Sequence, residues 1–226
     1  MQVAIVGSGN VGKALAGSLV KAGHEVSITA RHPDHAQAAA RATGARALAG
    51  SEEAASAAEI VILAVPSDAL TEVAGEIGDV TGKAVIDASN RVDPQDPGAT
   101  LDGSSNAERL QSQLPGAFVV KAFNTLFASR MADPIADGQA VDGYFAGDDE
   151  GAKGKVHDLL ASIGLRPVDC GGLAMARVLE GMALTHILLQ MHNNWPWQSA
   201  FRLVGPTPGL DSPTAEAIDR VMQQGR

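Results

Sequence analysis

The 226-residue chain is poor in cysteine, in aromatic residues and in basic side chains. Its one cysteine, Cys170, excludes an internal disulfide framework and a zinc site made of several cysteines. Aromatic residues make up 4% of the chain, so a hydrophobic core must be built from Ala, Val, Leu and Ile. A net charge of -9 argues against nucleic acid as a partner, because phosphates require a basic surface. The composition is that of a globular protein with an aliphatic core.

The chain also lacks a long apolar run. The most apolar later stretch, MALTHILLQM at residues 182–191, is interrupted by His186 and Gln190, whereas a membrane span needs about 20 apolar residues. The chain opens on the strand-like QVAIV, without the basic region or cleavage site of a secretory signal. No set of side chains has the spacing of metal ligands. We therefore expect a cytoplasmic protein with no membrane partner and no bound metal.

Short runs rich in Val and Ile alternate with Ala-rich helical stretches. The runs are QVAIV, HEVSIT, EIVILAV, KAVIDA and AFVVKAF, and their continuous apolar character is typical of parallel strands covered on both faces. Each helical stretch between them stops at a glycine, and Pro33 and Ser67 mark two helix starts. This alternation predicts an α/β fold with a doubly wound parallel sheet.

The length allows one core with a smaller appendage. We divide the chain into a domain of residues 1–125 and a smaller C-terminal portion of residues 126–226. That portion has strand-helix units and then a long apolar helix, predicted from Leu173 to about Leu203. The segment GPTPG ends this helix, and a last short helix is predicted with Ser212 as its N-cap and Pro213 at its first position.

A glycine-rich stretch, GSGNVG, follows the first predicted strand and opens a helix. In that context Gly7 permits a tight turn, Gly9 lets the backbone approach a pyrophosphate, and Gly12 allows close packing of helix and strand. The pyrophosphate then lies on the free N–H groups of the helix that starts near Asn10. This context predicts a dinucleotide-binding loop, and the expected contacts are Gly7, Ser8, Gly9, Asn10, Val11 and Gly12.

The second strand ends in ITARHPDH, where an NAD-specific protein would carry an acidic residue for the ribose hydroxyls. The sequence instead has Thr29, Ala30, Arg31 and His32. An acid would repel a 2′-phosphate, whereas a guanidinium binds it through charge-assisted hydrogen bonds. These four residues therefore predict NADP(H) as the cofactor.

These motifs, in this order, resemble the NADPH-dependent reductases of the deazaflavin coenzyme F420. They are also similar to the cytosolic oxidoreductase domain of the six-transmembrane metalloreductases. The resemblance runs from Met1 to about Leu203, and it is carried by VAIVGSGNVGKALA, GHEVSITAR, AVPSDAL, VVKAFNT, AGDDEGAK and LRPVDCGGLAMARVLEGM. It implies a Rossmann-type NADP-binding domain at residues 1–125, a small C-terminal helical extension, and hydride transfer to a flat acceptor such as coenzyme F420, FMN or FAD.

The resemblance extends the cofactor site to the turns after the fourth, fifth and sixth strands. These turns leave the carboxyl ends of strands, where open α/β sheets bind ligands. The residues concerned are Val65, Pro66, Ser67, Ser89 and Asn90, together with the turn from Ala122 to Thr125, in which Ala122 and Asn124 are the expected contacts. Two positions depart from the deazaflavin enzymes: Ala30 replaces a Ser, which predicts a weaker NADP preference, and Asn124 replaces a His. The second change leaves the acceptor open.

Two other functions remain open. A dehydrogenase or imine reductase acting on a small carbonyl or imine would be expected to show a proton donor, and no Ser-Lys-Tyr or His-Asp pair is evident. A non-catalytic NADP-binding regulatory module would be favoured by a closed cleft beside the nicotinamide. Hydride transfer to a flavin-type ring needs mainly proximity and orientation, which favours a deazaflavin or flavin reductase. No catalytic residue is assigned, and Asn124 is either a contact to the nicotinamide or acceptor ring or a turn former.

The apolar helix carries the predictions about assembly. An apolar stripe along it would leave an exposed patch on a monomer, which predicts a homodimer through this helix. The stripe comprises Leu179, Met182, Leu184, Leu188 and Met191, extended by Trp195 and Trp197. The two tryptophans line either that interface or the acceptor pocket. On the same helix, Arg177 and Glu180 are predicted to form an ion pair, and His186 to be a core histidine with its hydrogen bonds satisfied.

Overall fold

A computed structural model of the chain describes residues 1–93, 95–96, 98, 103–205, 207 and 210. Within these residues the strands are β1 (Gln2–Val6), β2 (Glu25–Thr29), β3 (Arg46–Ala47), β4 (Ile60–Leu63), β5 (Ala84–Asp87), β6 (Phe118–Ala122), β7 (Ile135–Ala136), β8 (Gln139–Ala140), β9 (Asp142–Gly147) and β10 (Arg166–Asp169). The α-helices are α1 (Asn10–Lys21), α2 (Pro33–Thr43), α3 (Ser51–Ala57), α4 (Leu70–Glu76), α5 (Asn106–Gln113), α6 (Ala128–Ala132), α7 (Glu150–Ser162) and α8 (Ala176–Asn193). Short 3₁₀ turns, Ser67–Ala69 and Leu173–Met175, precede α4 and α8.

Eight of these strands form one sheet in the order β10-β9-β6-β5-β4-β1-β2-β3. Six neighbouring strands of this sheet are parallel, in the order β6-β5-β4-β1-β2-β3. This order is that of dinucleotide-binding sheets. Strand β9 runs antiparallel to β6, and β10 runs parallel to β9. The predicted Rossmann-type doubly wound fold with a C-terminal helix is confirmed.

The sheet is buried on both faces, which explains why its strands read as continuous apolar runs. In β1, Val3 and Ile5 belong to one hydrophobic cluster, while Ala4 and Val6 belong to the cluster on the opposite face. Successive strand residues point to opposite faces, so two helical layers are needed to cover them. The sheet continues past residue 125 through β9 and β10. The division of the chain at that residue remains a prediction.

The structure contains short elements that were not predicted, among them β3, α3, α6 and the β7–β8 pair, and its long apolar helix has a different end. Strand β3 was not predicted, because two residues are too few to give an apolar pattern. The long apolar helix ends at Asn193 instead of near Leu203. Asn194 takes a left-handed conformation with φ of 52°, and Pro196 disfavours helix at the residue before it, so the helix stops there. The helix predicted from Ser212 lies outside the described residues.

Helix α8 carries apolar residues on opposite sides. Leu179 and Leu184 of the predicted stripe are 2% and 4% exposed, because they pack inside the chain. The predicted stripe is therefore wrong for these two residues. Met175 of the 3₁₀ turn and Val178, Thr185 and Leu189 of α8 are exposed and are spaced as one side of a helix. We call these four residues the outer face of α8. None of the helices that the structure describes has both the length and the apolar character needed to cross a membrane.

Candidate functional site

The three glycines of the loop between β1 and α1 have different surroundings. A Cβ atom on Gly7, where φ is 114°, would lie 2.2 Å from the carbonyl oxygen of Ala64. A Cβ on Gly12 would lie 1.9 Å from the carbonyl oxygen of Gly7, so helix and turn are in contact there. A Cβ on Gly9 would meet no atom within 4 Å. Open space at Gly9, beside the uncapped start of α1, fits the approach of a pyrophosphate.

We call the loop of residues 7–12 the phosphate loop. It lies between two clefts at the carboxyl ends of the parallel strands. The adenosine-side cleft has a volume of about 810 Å³, and Gly7 lies in its wall. The acceptor-side cleft has a volume of about 460 Å³, and Asn10 and Val11 lie in its wall. A dinucleotide with its pyrophosphate on the loop would therefore have room for one half on each side.

The two clefts gather most of the predicted cofactor-binding residues. The adenosine-side cleft is lined by Gly7, Ala30, Arg31, His32, Val65 and Pro66. The acceptor-side cleft is lined by Asn10, Val11, Asn90 and Asn124. Ser8, Gly9 and Gly12 form the phosphate loop between them. Four others, Thr29, Ser67, Ser89 and Ala122, do not line either cleft.

Two of these four hold the loops in place through a buried amide. The hydroxyl of Ser67 donates to Oδ1 of Asn106 at 3.1 Å, and Nδ2 of Asn106 donates to the hydroxyl oxygen of Ser89 at 2.8 Å. Ser89 in turn donates to Oδ1 of Asp87 at 2.6 Å. The turns after β4 and β5 are thereby tied to the start of α5.

The adenosine-side cleft is also lined by carboxylates that were not predicted to belong to the cofactor site. Nη2 of Arg31 lies 3.2 Å from Oε2 of Glu72, and both side chains are mostly exposed. Glu52 and Glu76 lie in the same wall. These carboxylates come from α3 and α4, so the end of β2 gave no signal of them. Arg31 is thus paired before any phosphate arrives.

Asn90 and Asn124 form a reciprocal pair at the edge of the acceptor-side cleft. Nδ2 of Asn90 donates to the backbone oxygen of Asn124 at 2.8 Å, and Nδ2 of Asn124 donates to Oδ1 of Asn90 at 3.0 Å. Nδ2 of Asn124 also donates to the backbone oxygen of Leu179 at 3.0 Å. The pair connects the turns after β5 and β6 to helix α8.

A buried ion cluster, which was not predicted from the sequence, lies next to this pair. Lys121 is fully buried, and its Nζ lies 2.9 Å from Oδ2 of Asp87 and 2.8 Å from Oε1 of Glu180. It also donates to the backbone oxygen of Ser89 at 2.7 Å. A lysine inside the apolar strand VVKAF is the signal that could have revealed it, because lysine is rarely buried without a partner.

The predicted ion pair between Arg177 and Glu180 is wrong. Residues three apart lie about 60° apart around a helix, and here one faces the sheet while the other faces α5. Glu180 is buried against Lys121, whereas Arg177 donates two hydrogen bonds to Glu108, at 2.8 and 2.6 Å. The Arg177 guanidinium lowers the pKa of Glu108 to about 2.

An aromatic wall closes the far side of the acceptor-side cleft. Phe127 and Trp197 meet edge to face with ring centroids 5.2 Å apart, and both line the cleft. Trp197 takes a left-handed backbone conformation with φ of 55°. Its backbone is held by Ser129, which donates to its oxygen at 2.6 Å, and by Gln190, which accepts from its N–H at 3.2 Å. Trp195 and Trp197 are 46% and 44% exposed, but Trp195 is not part of this lining.

His186 supports this wall and is the satisfied core histidine that was predicted. Its Nδ1 lies 3.1 Å from the backbone oxygen of Thr125, and its Nε2 lies 2.8 Å from the hydroxyl of Ser199. A backbone carbonyl can only accept, so Nδ1 carries the proton and Nε2 accepts from Ser199. Burial lowers the pKa of His186, which favours this neutral form.

The chain has relatives of known name across most of its length. A family model described as NADP oxidoreductase coenzyme F420-dependent matches residues 2–91, which include the phosphate loop and Arg31. An F420-dependent NADP reductase from Methanothermobacter marburgensis is 34% identical over 212 residues, covering 85% of this chain and 94% of the relative. Metalloreductase STEAP3 from Rattus norvegicus is 32% identical over 183 residues, which are 81% of this chain and 36% of that protein. A crystal structure from Arthrobacter sp. FB24, provisionally named an F420-dependent NADP reductase, is 27% identical with a TM-score of 0.80, and the match covers 91% of this chain and 100% of that one.

Proposed function

The chain belongs to the family of F420-dependent NADP reductases, and we propose that it transfers a hydride between the nicotinamide of NADP(H) and a deazaflavin or flavin-type ring. Membership of this family makes it an NADP-dependent oxidoreductase and confirms the resemblance inferred from its motifs. The finer assignment, to coenzyme F420, FMN or FAD as acceptor, is the proposal. One observation carries it: an open cleft with an aromatic wall adjoins the phosphate loop.

The residues present fit an NADP cofactor that extends across both clefts. The backbone at Gly9 leaves room for the pyrophosphate, and the N–H groups at the start of α1 would bind it. Arg31 and His32 would hold the 2′-phosphate, while Val65 and Pro66 would pack along the ribose side. NADPH supplies the hydride when it is bound.

The chain's own contribution to the reaction is placement. Asn90 and Asn124 lie at one edge of the acceptor-side cleft, and Phe127 and Trp197 form an apolar wall against which a flat ring can stack. Holding two rings in contact and excluding water supplies the proximity that hydride transfer needs. No side chain is required to deliver a proton, because a reduced deazaflavin or flavin ring can exchange protons with solvent.

The two alternative functions are less well supported by this geometry. A carbonyl or imine reductase would use a side chain that can donate a proton, and both ring nitrogens of His186 are already engaged by Thr125 and Ser199. A non-catalytic module would be favoured by a closed cleft, and the acceptor-side cleft is open with a volume of about 460 Å³.

The proposal is tested by anaerobic oxidation of NADPH with a panel of acceptors. Coenzyme F420, FMN, FAD and simple cyclic imines are compared at equal concentration. We expect turnover with coenzyme F420 or a flavin and none with the imines. Turnover with imines alone would replace this proposal with an imine reductase, and tight NADPH binding without any turnover would favour the regulatory module.

We also propose that the protein forms a homodimer through its C-terminal helix. Of the ten large apolar side chains that are exposed in the described residues, eight lie between Met175 and Val204. The outer face of α8 contributes three of them, and Met191 and Trp195 follow at its end. A concentration of exposed apolar surface in one region is typical of an interface, and pairing of equivalent helices is the simplest way to cover it.

A further inference from the structure

Two buried polar atoms in the wall of the acceptor-side cleft have no hydrogen-bond partner among the described residues. They are Oδ1 of Asn124 and Oγ1 of Thr125. Each residue is only 3% exposed, and both line the cleft. Buried polar atoms in folded proteins are nearly always paired, so two orphans side by side in a cleft indicate a ligand that completes them.

The orientation of the Asn124 amide follows from its neighbours. Its Nδ2 donates to the backbone oxygen of Leu179, an atom that can only accept, so nitrogen and oxygen cannot be exchanged. Asn90 is fixed in the same way, because its Nδ2 donates to the backbone oxygen of Asn124. Oδ1 of Asn124 is therefore a pure acceptor that requires an N–H or O–H group from a ligand.

Thr125 supplies a complementary group at the next position in the chain. Its hydroxyl can donate as well as accept, while its backbone oxygen is held by His186 at 3.1 Å. The turn that presents both residues is strained, since Phe123 before them has φ of 66°, in the left-handed region that bulky residues rarely adopt. Backbone strain of this kind is concentrated at functional sites.

We propose that Asn124 and Thr125 form a subsite that binds the carboxamide of the nicotinamide ring. The carboxamide N–H donates to Oδ1 of Asn124, and the hydroxyl of Thr125 donates to the carboxamide oxygen. Such contacts stop rotation of the ring about its glycosidic bond and present one face to the acceptor, which is the orientation that hydride transfer needs. This inference rests on the proposed function, because it assumes that NADP(H) occupies the two clefts.

An adjacent N–H and C=O also occur in the imide of a flavin or deazaflavin ring, so the same atoms could bind the acceptor. The nicotinamide is the better match. Asn124 is bonded to Asn90, and both share a cleft with Asn10 and Val11 at the start of α1, where the pyrophosphate of the cofactor would lie. The aromatic wall that suits the acceptor is formed by other residues, Phe127 and Trp197.

The decisive variant is Thr125→Val, which replaces the hydroxyl by a methyl group of similar size. Because this hydroxyl has no partner among the described residues, we expect an unchanged thermal midpoint. Affinity for NADP⁺, measured by calorimetry, should fall on the order of 3- to 10-fold, the value of one hydrogen bond. Thr125→Ser keeps the hydroxyl and should retain wild-type affinity.

Two further ligands separate the failure of this inference from the failure of the proposed function. Adenosine 2′,5′-bisphosphate lacks nicotinamide, so it should bind wild type and Thr125→Val equally. If it does not bind the wild type at all, the NADP site itself is misplaced. The 3-acetylpyridine analogue of NADP⁺ lacks the carboxamide N–H, and wild type should bind it more weakly than NADP⁺ because Asn124 loses its donor.

The same variants reveal whether the acceptor uses these atoms instead. Under the proposal, Thr125→Val weakens NADP⁺ binding and leaves the KM for the acceptor unchanged. Unchanged NADP⁺ affinity in Thr125→Val would overturn the assignment. A raised KM for the acceptor without loss of NADP⁺ affinity would show that the pair binds the imide of that ring, which also contradicts the proposal.

Discussion

Arg31 and Glu72 face each other in the adenosine-side cleft, with Nη2 of Arg31 3.2 Å from Oε2 of Glu72. A bound 2′-phosphate would have to take Arg31 from this carboxylate. We expect Glu72→Gln to tighten NADPH binding by about 2- to 5-fold, because an exposed ion pair of this kind is weak. Calorimetric titration of NADPH into wild type and variant measures the change.

A matched control separates loss of this pair from loss of charge. Glu76 lies in the same cleft wall, so Glu76→Gln removes one charge and leaves the Arg31–Glu72 pair in place. It should have a smaller effect than Glu72→Gln. Arg31→Ala should erase the preference for NADPH over NADH, which we expect to be on the order of 10- to 100-fold. Equal affinity of the wild type for both cofactors would refute the role of Arg31.

Substitution of Gly9 should impair cofactor binding, whereas substitution of Gly12 should lower the stability of the fold. Gly9→Val places a side chain in open space, so the protein should fold while the pyrophosphate is kept from the backbone. Gly12→Ala puts a methyl group 1.9 Å from the oxygen of Gly7, so it should lower the thermal midpoint. Circular dichroism and NADPH titration distinguish the two effects. A Gly9→Val variant with wild-type affinity would mean that the phosphate loop is misassigned.

Trp197 and Trp195 provide a matched pair for the acceptor cleft. Trp197 lines the cleft, whereas Trp195 is exposed outside its lining. Trp197→Ala should raise the KM for the acceptor on the order of 3- to 10-fold, the value of a lost aromatic contact, and leave NADPH affinity unchanged. Trp195→Ala should leave both quantities unchanged. Equal KM values in the two variants would remove the aromatic wall from the acceptor site.

The bond from Arg177 to Glu108 predicts a stability that depends on acid pH. Arg177 lowers the pKa of Glu108 from 4.5 to about 2 in the folded protein. A carboxyl with a lowered folded pKa stabilises the fold above its unfolded pKa, and this stabilisation is lost as the pH falls from about 4.5 towards 2. Arg177→Gln should flatten this part of the stability curve, measured by urea unfolding between pH 6 and pH 3. Parallel curves for wild type and variant would contradict the pairing.

The proposed homodimer can be tested on the outer face of α8. Light scattering of the wild type at micromolar concentration should report twice the 23.1 kDa chain mass. Leu189→Glu places a charge on the exposed apolar surface and should give monomers. Phe118→Glu is the control, because Phe118 is an exposed apolar residue on β6, outside the region from Met175 to Val204. It should leave the dimer intact. A monomeric wild type would rule out the assembly.

The parts of the candidate site that depend on local pattern were predictable from the sequence. GSGNVG predicted the turn between β1 and α1, and ITARHPDH predicted the end of β2 that brings Arg31 and His32 into a cleft wall, because both are short motifs fixed by neighbouring residues. Contacts between distant segments could not be read in this way. Glu72 lies 41 residues from Arg31, and Glu180 lies 59 residues from Lys121, so only the folded chain brings them together.

Local rules also failed where tertiary contacts override them. The spacing of Arg177 and Glu180 favours a helix ion pair, yet each has a stronger partner on another element, Glu108 and Lys121. Thr125 was predicted only as the last residue of the turn after β6, and a threonine after a strand is common. Its significance arises because its hydroxyl is buried without a partner among the described residues, a property that depends on the folded chain.

Transfer of a labelled hydride tests the central claim most directly. NADPH that carries deuterium at C4 of the nicotinamide ring, in either stereochemical position, is incubated anaerobically with the protein and oxidised coenzyme F420. The deazaflavin ring accepts a hydride at a carbon atom, which retains the label. We predict that deuterium from one of the two labelled forms appears in the reduced deazaflavin, as measured by mass spectrometry, and that NADP⁺ forms in equal amount. Reduction without deuterium in the product from either form, or no reduction of any deazaflavin or flavin, would contradict the account.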